Sequence, residues 1–297
     1  MRWSAGTAKV RVGFLAVSAL VCAAAWAQDD GIDLGGGVLL DAGYRQLIVP
    51  DPEGGVVALA LSDGARRWAF SGAERPVLVE KDLCLLQGEP RGLGELRLAT
   101  LKTNDGKPIG QAVSALPASV RADVAPTRSS RFSLRPLRAA GRTRLAWTFD
   151  PASHDAPRPL SQRGVLTLHL PTARAAALDV PLPAPAPSPR TDVSWADENE
   201  RSFFSADRQH VLNSLREIRD GRTTYRWRIY DLDQRRLATV TEDRPYAPFA
   251  VHRDTLVIAD GRRLSGAGGR EVRVRSLTDG RLIWRASIRD LMTPTEP

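Results

Sequence analysis

The sequence RPVLVEKDLCLL at residues 75–86 returns, without a gap, as APFAVHRDTLVI at residues 247–258. Each copy has a proline at its second position, then three strand-forming residues, then a polar pair ending in aspartate before a second apolar run. This pattern is typical of two β-strands joined by a tight turn. The offset from Pro76 to Pro248 is 172 residues, or four steps of 43, which predicts an internal repeat.

A strand followed by a turn is the second repeated unit. The sequence ALALSDGARRW at residues 58–68 corresponds to RSLTDGRLIW at residues 275–284, with weaker copies at residues 99–107 and 230–237. An Asp-Gly pair favours a hairpin, because glycine adopts the positive φ that a tight turn needs. We therefore expect such turns at Gly64, Gly106 and Gly280, with Arg235 in the glycine's place in the remaining copy. A bulky residue three or four positions later is expected to return to the core.

The repeat predicts the fold. About 40–50 residues forming about four strands are the size of one blade of a β-propeller, and no stretch of the chain favours an amphipathic helix. We place blades at residues 38–70, 76–111, 203–240 and 247–286. Residues 119–182 are irregular and hold either two degenerate blades or an inserted sandwich, of which we favour the blades. The sequence thus predicts an all-β chain in which residues 28–297 form one β-propeller domain of about six four-stranded blades, irregular in the middle.

The repeated unit resembles that of a known family. Val57-Ala58-Leu59 with Gly64 and Trp68, followed by the segment that begins at Pro76, is similar to the repeat of the quinoprotein-like (PQQ-like repeat) β-propellers. The good matches, at residues 56–111 and 203–286, cover about half of the chain that follows residue 27. The resemblance implies a propeller nearest in kind to the non-catalytic periplasmic propeller proteins. It leaves the activity open, because one fold hosts many functions.

The enzymes of that family define the alternative function. The resemblance implies that such enzymes stack a quinone cofactor under a vicinal disulfide and bind calcium through Glu, Asn and a catalytic Asp. This chain has two cysteines, Cys22 and Cys84, and no adjacent pair. We therefore expect a non-catalytic binding or scaffolding protein of the bacterial cell envelope, with no cofactor, no metal and no catalytic residue. The alternative is a divergent quinoprotein-type enzyme or a small-molecule sensor that uses the central channel.

Residues 1–27 have the three regions of a secretory signal peptide. A basic start is followed by the apolar residues 12–25 and by Ala25-Trp26-Ala27, so we expect cleavage before Gln28. The apolar run is shorter than the ~20 residues that span a bilayer. Lipidation at Cys22 is the less favoured alternative, because the bulky Val21 precedes it. The sequence predicts a periplasmic or secreted protein with no membrane span after cleavage.

The distribution of charge argues against nucleic acid as a partner. The formal net charge of +8 falls to +5 when Arg2, Lys9 and Arg11 are removed with the signal peptide. The remaining basic residues are scattered along the chain, whereas phosphate binding needs a cluster. We expect a protein or a cell-envelope ligand as the partner and leave the oligomeric state open.

Residues with reactive side chains are interpreted as structural. Cys84 lies inside an apolar run, so we expect a buried small hydrophobe. The histidines share no metal-ligand spacing, with His169 expected on a sheet face and His252 in a polar turn. The acids near residue 195 lack the spacing of a calcium loop, and we expect the glycine-rich segment to form a hairpin. The histidines are His154, His169, His210 and His252, the acids are Asp192, Asp197, Glu198 and Glu200, and the glycine-rich segment is Gly266 to Gly269.

Arginines, tryptophans and prolines complete the candidates for binding. The arginines are expected on a solvated rim of outer strands, and the tryptophans in the core between blades. The proline-rich segment is expected to be a stiff spacer, with a ligand for a partner protein as the alternative. The arginines are Arg226, Arg228, Arg270, Arg273 and Arg275, the tryptophans are Trp68, Trp147, Trp227 and Trp284, and the proline-rich segment is Pro181 to Pro189.

Overall fold

The computed structural model describes residues 31–88, 95–115, 131–137, 144–150, 162–178, 200–260 and 270–289. The expected signal peptide, the proline-rich segment at 181–189, His154, the acids at 192–198 and Gly266 to Gly269 lie outside the described residues. The described residues confirm the all-β class: they form strands and one short 3-10 helix, Leu170–Thr172. In these ranges no helix has the length and apolar character needed to cross a lipid bilayer.

The strands form five antiparallel sheets. Sheet 1 contains β1 (Ile32–Asp33), β2 (Leu39–Asp41), β3 (Gln46–Pro50), β4 (Val56–Ala60) and β5 (Arg66–Phe70). Sheet 2 contains β6 (Arg75–Glu80), β7 (Leu83–Gln87), β8 (Glu95–Lys102) and β9 (Pro108–Ala115). Sheet 3 contains β10 (Arg131–Leu137), β11 (Arg144–Asp150), β12 (Gln162–His169) and β13 (Arg174–Leu178).

The last two sheets have the same up-and-down order. Sheet 4 contains β14 (Glu200–Phe204), β15 (His210–Arg219), β16 (Arg222–Asp231) and β17 (Arg236–Glu242). Sheet 5 contains β18 (Phe249–His252), β19 (Thr255–Asp260), β20 (Arg270–Ser276) and β21 (Leu282–Ile288). Each strand pairs with its neighbours in sequence, so every sheet is a meander whose fourth or fifth strand forms an outer edge.

The repeated segments form the same hairpin, except that the first copy has a shift of register between Pro76 and Leu78. Pro76 lies in β6 and Pro248 directly precedes β18, and each is followed by a hairpin, β6–β7 or β18–β19. The turn residues Lys81 and Arg253 have φ of 56° and 53°, the left-handed conformation in both copies. The gapless match between residues 75–86 and 247–258 therefore reflects one hairpin used twice.

The Asp-Gly turns are confirmed at three positions and corrected at one. Gly64, Gly106 and Gly280 have φ of 75°, 70° and 72°. In sheet 4 the left-handed residue is Gln234, with φ of 63°, and the expectation for Arg235 is wrong. The reason is a shorter turn: the Gln234 N–H donates to the carbonyl of Asp231, three residues back, whereas the Gly280 N–H donates to Ser276, four residues back.

The irregular middle of the chain forms one sheet in the described residues. Strands β10 and β11 form a hairpin, with Phe132 opposite Phe149 and Leu134 opposite Trp147. Strand β12 pairs with β11 on one side and with β13 on the other. The described residues between 131 and 178 thus form one sheet, where two blades were favoured for residues 119–182, and the described ranges hold five sheets where about six blades were expected for the chain.

Neighbouring sheets share hydrophobic cores. Sheets 1 and 2 pack through a cluster that includes Ile48 and Leu86, and sheets 2 and 3 through one that includes Leu85 and Leu145. Sheets 4 and 5 share a third cluster around Trp227. Burial of these side chains contributes most of the stability of such a fold, at about 25 cal/mol per Å² of apolar surface.

The first and last sheets are also in contact. Side chains of sheet 1 and sheet 5, among them Val57 and Val274, belong to one buried cluster. The indole Nε1 of Trp284 in sheet 5 donates to the carbonyl of Leu61, 2.9 Å away, at the end of β4. In the described residues the packing order is therefore sheet 3, sheet 2, sheet 1, sheet 5, sheet 4.

The four candidate tryptophans lie in cores shared by two sheets, as predicted. Trp68 and Trp284 occupy the outer strands β5 and β21, Trp227 the third strand of sheet 4, and Trp147 the second strand of sheet 3. Trp68 repeats the contact of Trp284 with the next sheet, since its Nε1 donates to the carbonyl of Thr103 at 2.8 Å. A large ring with one polar atom suits a sheet junction, because the ring fills the core and its N–H satisfies a turn carbonyl.

Candidate binding site on the fourth sheet

Among the described residues, the hairpin of β15 and β16 extends beyond the rest of sheet 4. The two strands pair over ten residue pairs, from His210–Asp231 to Arg219–Arg222. The pairing of β14 with β15 ends at Leu215, and that of β17 with β16 ends at Tyr225. Residues 217–224 therefore form a two-stranded extension, which we call the arm.

A tight two-residue turn closes the arm. Asp220 and Gly221 have φ of 50° and 73°, as a type I′ turn requires at both central residues. This turn fits the right-handed twist of the flanking strands and keeps the two strands paired to the tip. The arm is thus a regular extension of the sheet.

The two faces of sheet 4 differ in polarity because side chains alternate along a strand. One face, with Leu212, Trp227 and Val240, is buried against sheet 5. The other face carries Asn213, Arg226 and other polar residues, and Ser202 Oγ donates to Asn213 Oδ1 at 2.9 Å. The polar face points away from sheet 5.

A shallow groove of about 610 Å³ lies on this polar face where the arm leaves the sheet. It is lined by Glu217, Asp220, Arg222, Thr224, Arg226 and Thr241. Within it the Arg226 Nη2 and Glu217 Oε1 atoms form an ion pair at 2.6 Å. Guanidinium, carboxylate and hydroxyl groups together present both donors and acceptors, which suits a polar peptide surface better than an apolar small molecule.

The opposite side of the arm exposes an isoleucine. Ile218 is 63% exposed, more than any other large hydrophobic residue in the described ranges. Arg216, two residues earlier on the same face of β15, is also exposed. An exposed aliphatic side chain next to an arginine is the composition of a protein contact, where apolar anchors are surrounded by polar groups.

Buried ion pairs fix the base of the arm to sheet 5. Glu242, at the end of β17, is 3% exposed. Its Oε2 lies 2.6 Å from Arg273 Nη1, and its Oε1 lies 2.8 Å from Arg275 Nε. Arg273 also contacts Asp260 at 3.5 Å, and Asp260 pairs with Arg244. The network joins two sheets at the end of the molecule where the arm projects.

This network corrects the expected solvated rim. The side chains of Arg273 and Arg275 are 11% and 18% exposed, and Arg270 is buried at 6% with its Nη1 donating to the carbonyl of Gly36 at 3.1 Å. They lie on β20, the third strand of sheet 5, where they face carboxylates and a carbonyl of neighbouring sheets. Arg226 is half-buried against Glu217.

Burial dominates the electrostatics of Glu242. Removal from water raises the pKa of Glu242, and the positive charges of Arg273 and Arg275 oppose that rise without cancelling it. The carboxylate is a poor candidate for a ligand-binding charge, because both of its oxygens are already paired. We assign it a structural role.

The cysteine and histidines occupy structural positions in the described part of the chain. Cys84 is fully buried and unpaired, and burial raises the pKa of its thiol, which confirms the expected small hydrophobe. His169 is exposed at the end of β12, with Nδ1 3.0 Å from Thr172 Oγ1. His252 lies beside the β18–β19 turn, where burial and the nearby Arg253 and Arg45 lower its pKa.

His210 begins β15 at the end of the hairpin opposite the arm. Burial lowers the pKa of His210, against the influence of Asp207 and Asp231. Among the described residues, no group of three His, Cys, Asp or Glu side chains could hold a metal ion.

The sequence contained one signal for the arm. The dipeptide Asp220-Gly221 between the strand-like runs LNSLREIR and RTTYRWRIY is a strong hairpin indicator. The repeat comparison missed it, because that comparison used the turn between the first two strands of a unit and the Asp-Gly turn before its last strand. The groove depends on where these strands end, and the buried ion network depends on contacts between two sheets.

Comparisons with known proteins give little further information. No protein-family model matches the chain, and no curated protein matches it. Among solved structures, the chain is similar to an acylaminoacyl peptidase from Pyrococcus horikoshii at 11% identity, over 69% of this chain and 31% of that chain. The TM-score of 0.19 is too low for this likeness to carry an argument about fold or activity.

Proposed function

We propose that this protein is an exported, non-catalytic β-propeller that binds a protein of the bacterial cell envelope through the arm of sheet 4. The five sheets are the blades of the propeller, and the arm with its groove is the binding element. The fold acts as a scaffold, because binding residues in such proteins lie on extensions that a rigid core holds in place.

Three features support the propeller. Each sheet is a meander of about the size of a blade. Sheets 1 and 2, sheets 2 and 3, and sheets 4 and 5 share buried clusters, and the last sheet packs on the first. The Trp68 and Trp284 contacts repeat the same sheet-to-turn junction. Repeated junctions of this kind are expected when similar sheets are arranged in a ring.

Export is proposed from the sequence of residues 1–27. Its basic start, apolar run and Ala25-Trp26-Ala27 are those of a signal peptide. The single cysteine of the remaining chain is buried and unpaired, so the fold relies on its core and not on disulfides, and oxidation in a periplasm would not rearrange it.

The arm is the observation that carries the binding proposal. A two-stranded ribbon that buries no core costs conformational entropy to order, and it exposes Ile218 at 63%. Arg216 lies beside Ile218 on the same face of the hairpin, while Glu217 is already paired with Arg226 on the other face. The charge beside Ile218 is therefore positive, which favours a partner with an acidic group next to an apolar pocket.

Crosslinking and capture from the envelope fraction test the proposal. The full-length chain, its Ile218→Asp variant and its Leu232→Asp variant are expressed at equal levels, crosslinked and purified, and the captured proteins are quantified by mass spectrometry. Leu232 is 49% exposed in the turn at the opposite end of β16, so it is a matched control. A hot-spot contact worth ~2 kcal/mol predicts a loss of at least about tenfold for Ile218→Asp alone.

Two outcomes would contradict the proposal. One is a set of captured proteins that is unchanged in Ile218→Asp. The other is an equal loss in both variants, which would show that any exposed charge reduces capture and that the arm has no special role. Circular dichroism and the melting temperature of each variant establish that the sheets are intact.

A further inference from the structure

The outer strand of sheet 2 differs from the other outer strands. It is β9, Pro108–Ala115, with the sequence PIGQAVSA, eight residues without a charged side chain. The other four outer strands each carry at least one exposed arginine: Arg66 and Arg67 in β5, Arg174 in β13, Arg236 in β17 and Arg285 in β21. Charges on an edge strand normally prevent another strand from pairing with it.

One edge and one face of β9 are open in the described part of the chain. The strand pairs only with β8, so alternate backbone N–H and C=O groups point away from the sheet. Ile109 and Val113 are 42% and 58% exposed on its outer face. The inner face is covered, because Gly110 lies against Pro171 and Thr172 of sheet 3. A long, uncharged edge with exposed β-branched residues is suited to strand addition.

The side-chain pattern of β9 is symmetric about Gln111. Ile109-Gly110-Gln111-Ala112-Val113 reads as branched, small, Gln, small, branched in either direction. Antiparallel pairing of two such strands about a two-fold axis at Gln111 places Ile109 opposite Val113 of the second copy, and Gln111 opposite Gln111. Cross-strand branched pairs stabilise a sheet, and two glutamine amides can each donate and accept a hydrogen bond.

We propose that β9 pairs with β9 of a second copy of this chain in a two-fold symmetric dimer. The two copies of sheet 2 then form one continuous eight-stranded sheet. The symmetric pattern favours a second copy over a different protein, since a two-fold interface must be complementary to itself. The same operation applied to β21 would place Arg285 opposite Arg285 of the second copy, which is unfavourable. This surface lies on sheet 2 and is independent of the arm on sheet 4.

Sedimentation of the full-length chain tests the dimer. We expect twice the mass of a single chain, which is 32.4 kDa with residues 1–27 included. Val113→Lys, which places an ammonium group opposite Ile109 of the second copy, should sediment at the mass of one chain. The control is Leu282→Lys on the outer strand of sheet 5, where Leu282 is 37% exposed, and it should remain a dimer.

Disulfide crosslinking tests the register. In a Cys22→Ser background, Gln111→Cys should give a disulfide-linked dimer under mild oxidation, because residues directly opposite have Cβ atoms about 4.5–5.5 Å apart. Val113→Cys should not crosslink, because each Val113 faces Ile109 and lies four residues from the Val113 of the other copy. Cys84 is fully buried and does not interfere.

Three results would overturn this proposal. They are a wild-type protein that sediments as a single chain, a Val113→Lys protein that remains dimeric, and crosslinking of Val113→Cys as efficient as that of Gln111→Cys. A single chain that loses a captured protein only when Val113 is replaced would assign the edge to a different protein. Capture through Ile218 is unaffected by any of these results, so the dimer and the proposed function fail separately.

Discussion

Substitution of Gly64 by alanine should destabilise the protein through the contact between the first and last sheets. Gly64 has φ of +75°, and a Cβ atom there would lie 2.9 Å from Cδ2 of Trp284, a separation that real Cβ atoms essentially never show. Trp284 is 9% exposed, and its Nε1 donates to Leu61. The ring therefore cannot move away without losing core packing and a hydrogen bond.

A second glycine with nearly the same φ separates the cost of backbone strain from the cost of the contact with Trp284. Gly221, at the tip of the arm, has φ of +73° and nothing within 4 Å of the position of an added Cβ. Gly221→Ala should cost only the left-handed strain of ~1–2 kcal/mol. Gly64→Ala should cost the same strain plus ~1–3 kcal/mol for overpacking against the indole. The excess should lower the melting temperature by about 2–4 °C for each kcal/mol.

Thermal and urea unfolding of the two variants and the wild type measure this difference. Gly106→Ala is a second test, because its Cβ would lie 2.8 Å from the ring of Trp68 at the junction of sheets 1 and 2. If Gly64→Ala were no less stable than Gly221→Ala, the indole of Trp284 would not pack on this turn, and the reasoning about contact between sheets 5 and 1 would be refuted.

Three further outcomes are expected. Burial raises the pKa of Glu242 from an ordinary value of 4.5, so its contribution to stability should be greatest below that value and decrease as the pH rises through the raised pKa. The urea midpoint of the wild type should decrease as the pH rises, and that of Glu242→Gln should lack this decrease. Equal pH profiles for the two proteins would contradict the prediction. In a Cys22→Ser chain, a thiol reagent should modify Cys84 only at the rate of global unfolding, and rapid labelling of the folded protein would show that the thiol is accessible. The purified protein should lack a visible absorption band and a calcium-dependent rise in melting temperature, and either signal would favour a quinoprotein-type enzyme or sensor.

The repeat could be identified from the sequence because its markers are local. A proline before a strand, a polar turn and an Asp-Gly pair specify a hairpin through residues a few positions apart. These markers located four of the sheets. Sheet 3 lacks them: its last turn is a 3-10 helix, in which Ala173 takes the left-handed conformation, with φ of 55°. Without an Asp-Gly pair the number of sheets could not be counted, and about six were expected.

The candidate site was less accessible to sequence reasoning, because it depends on where strands end. In the described residues, the arm is the part of the hairpin beyond Leu215 and Tyr225, where the pairing with β14 and β17 ends. The burial of Arg273 and Arg275 likewise requires Glu242 from another sheet. Alternation along β20 shows that these arginines share a face, but it does not show what covers that face.

The most direct test of the fold on which the proposals rest is the proton chemical shift of Gly64 in the folded protein. At φ of +75° one Hα of Gly64 occupies the place of an added Cβ and points at the indole of Trp284. The ring current of an aromatic face shifts such a proton to high field. We expect one strongly shifted Gly64 Hα whose shift is lost in Trp284→Leu. Two Hα resonances at ordinary positions, unchanged in that variant, would contradict the contact that brings the last sheet onto the first.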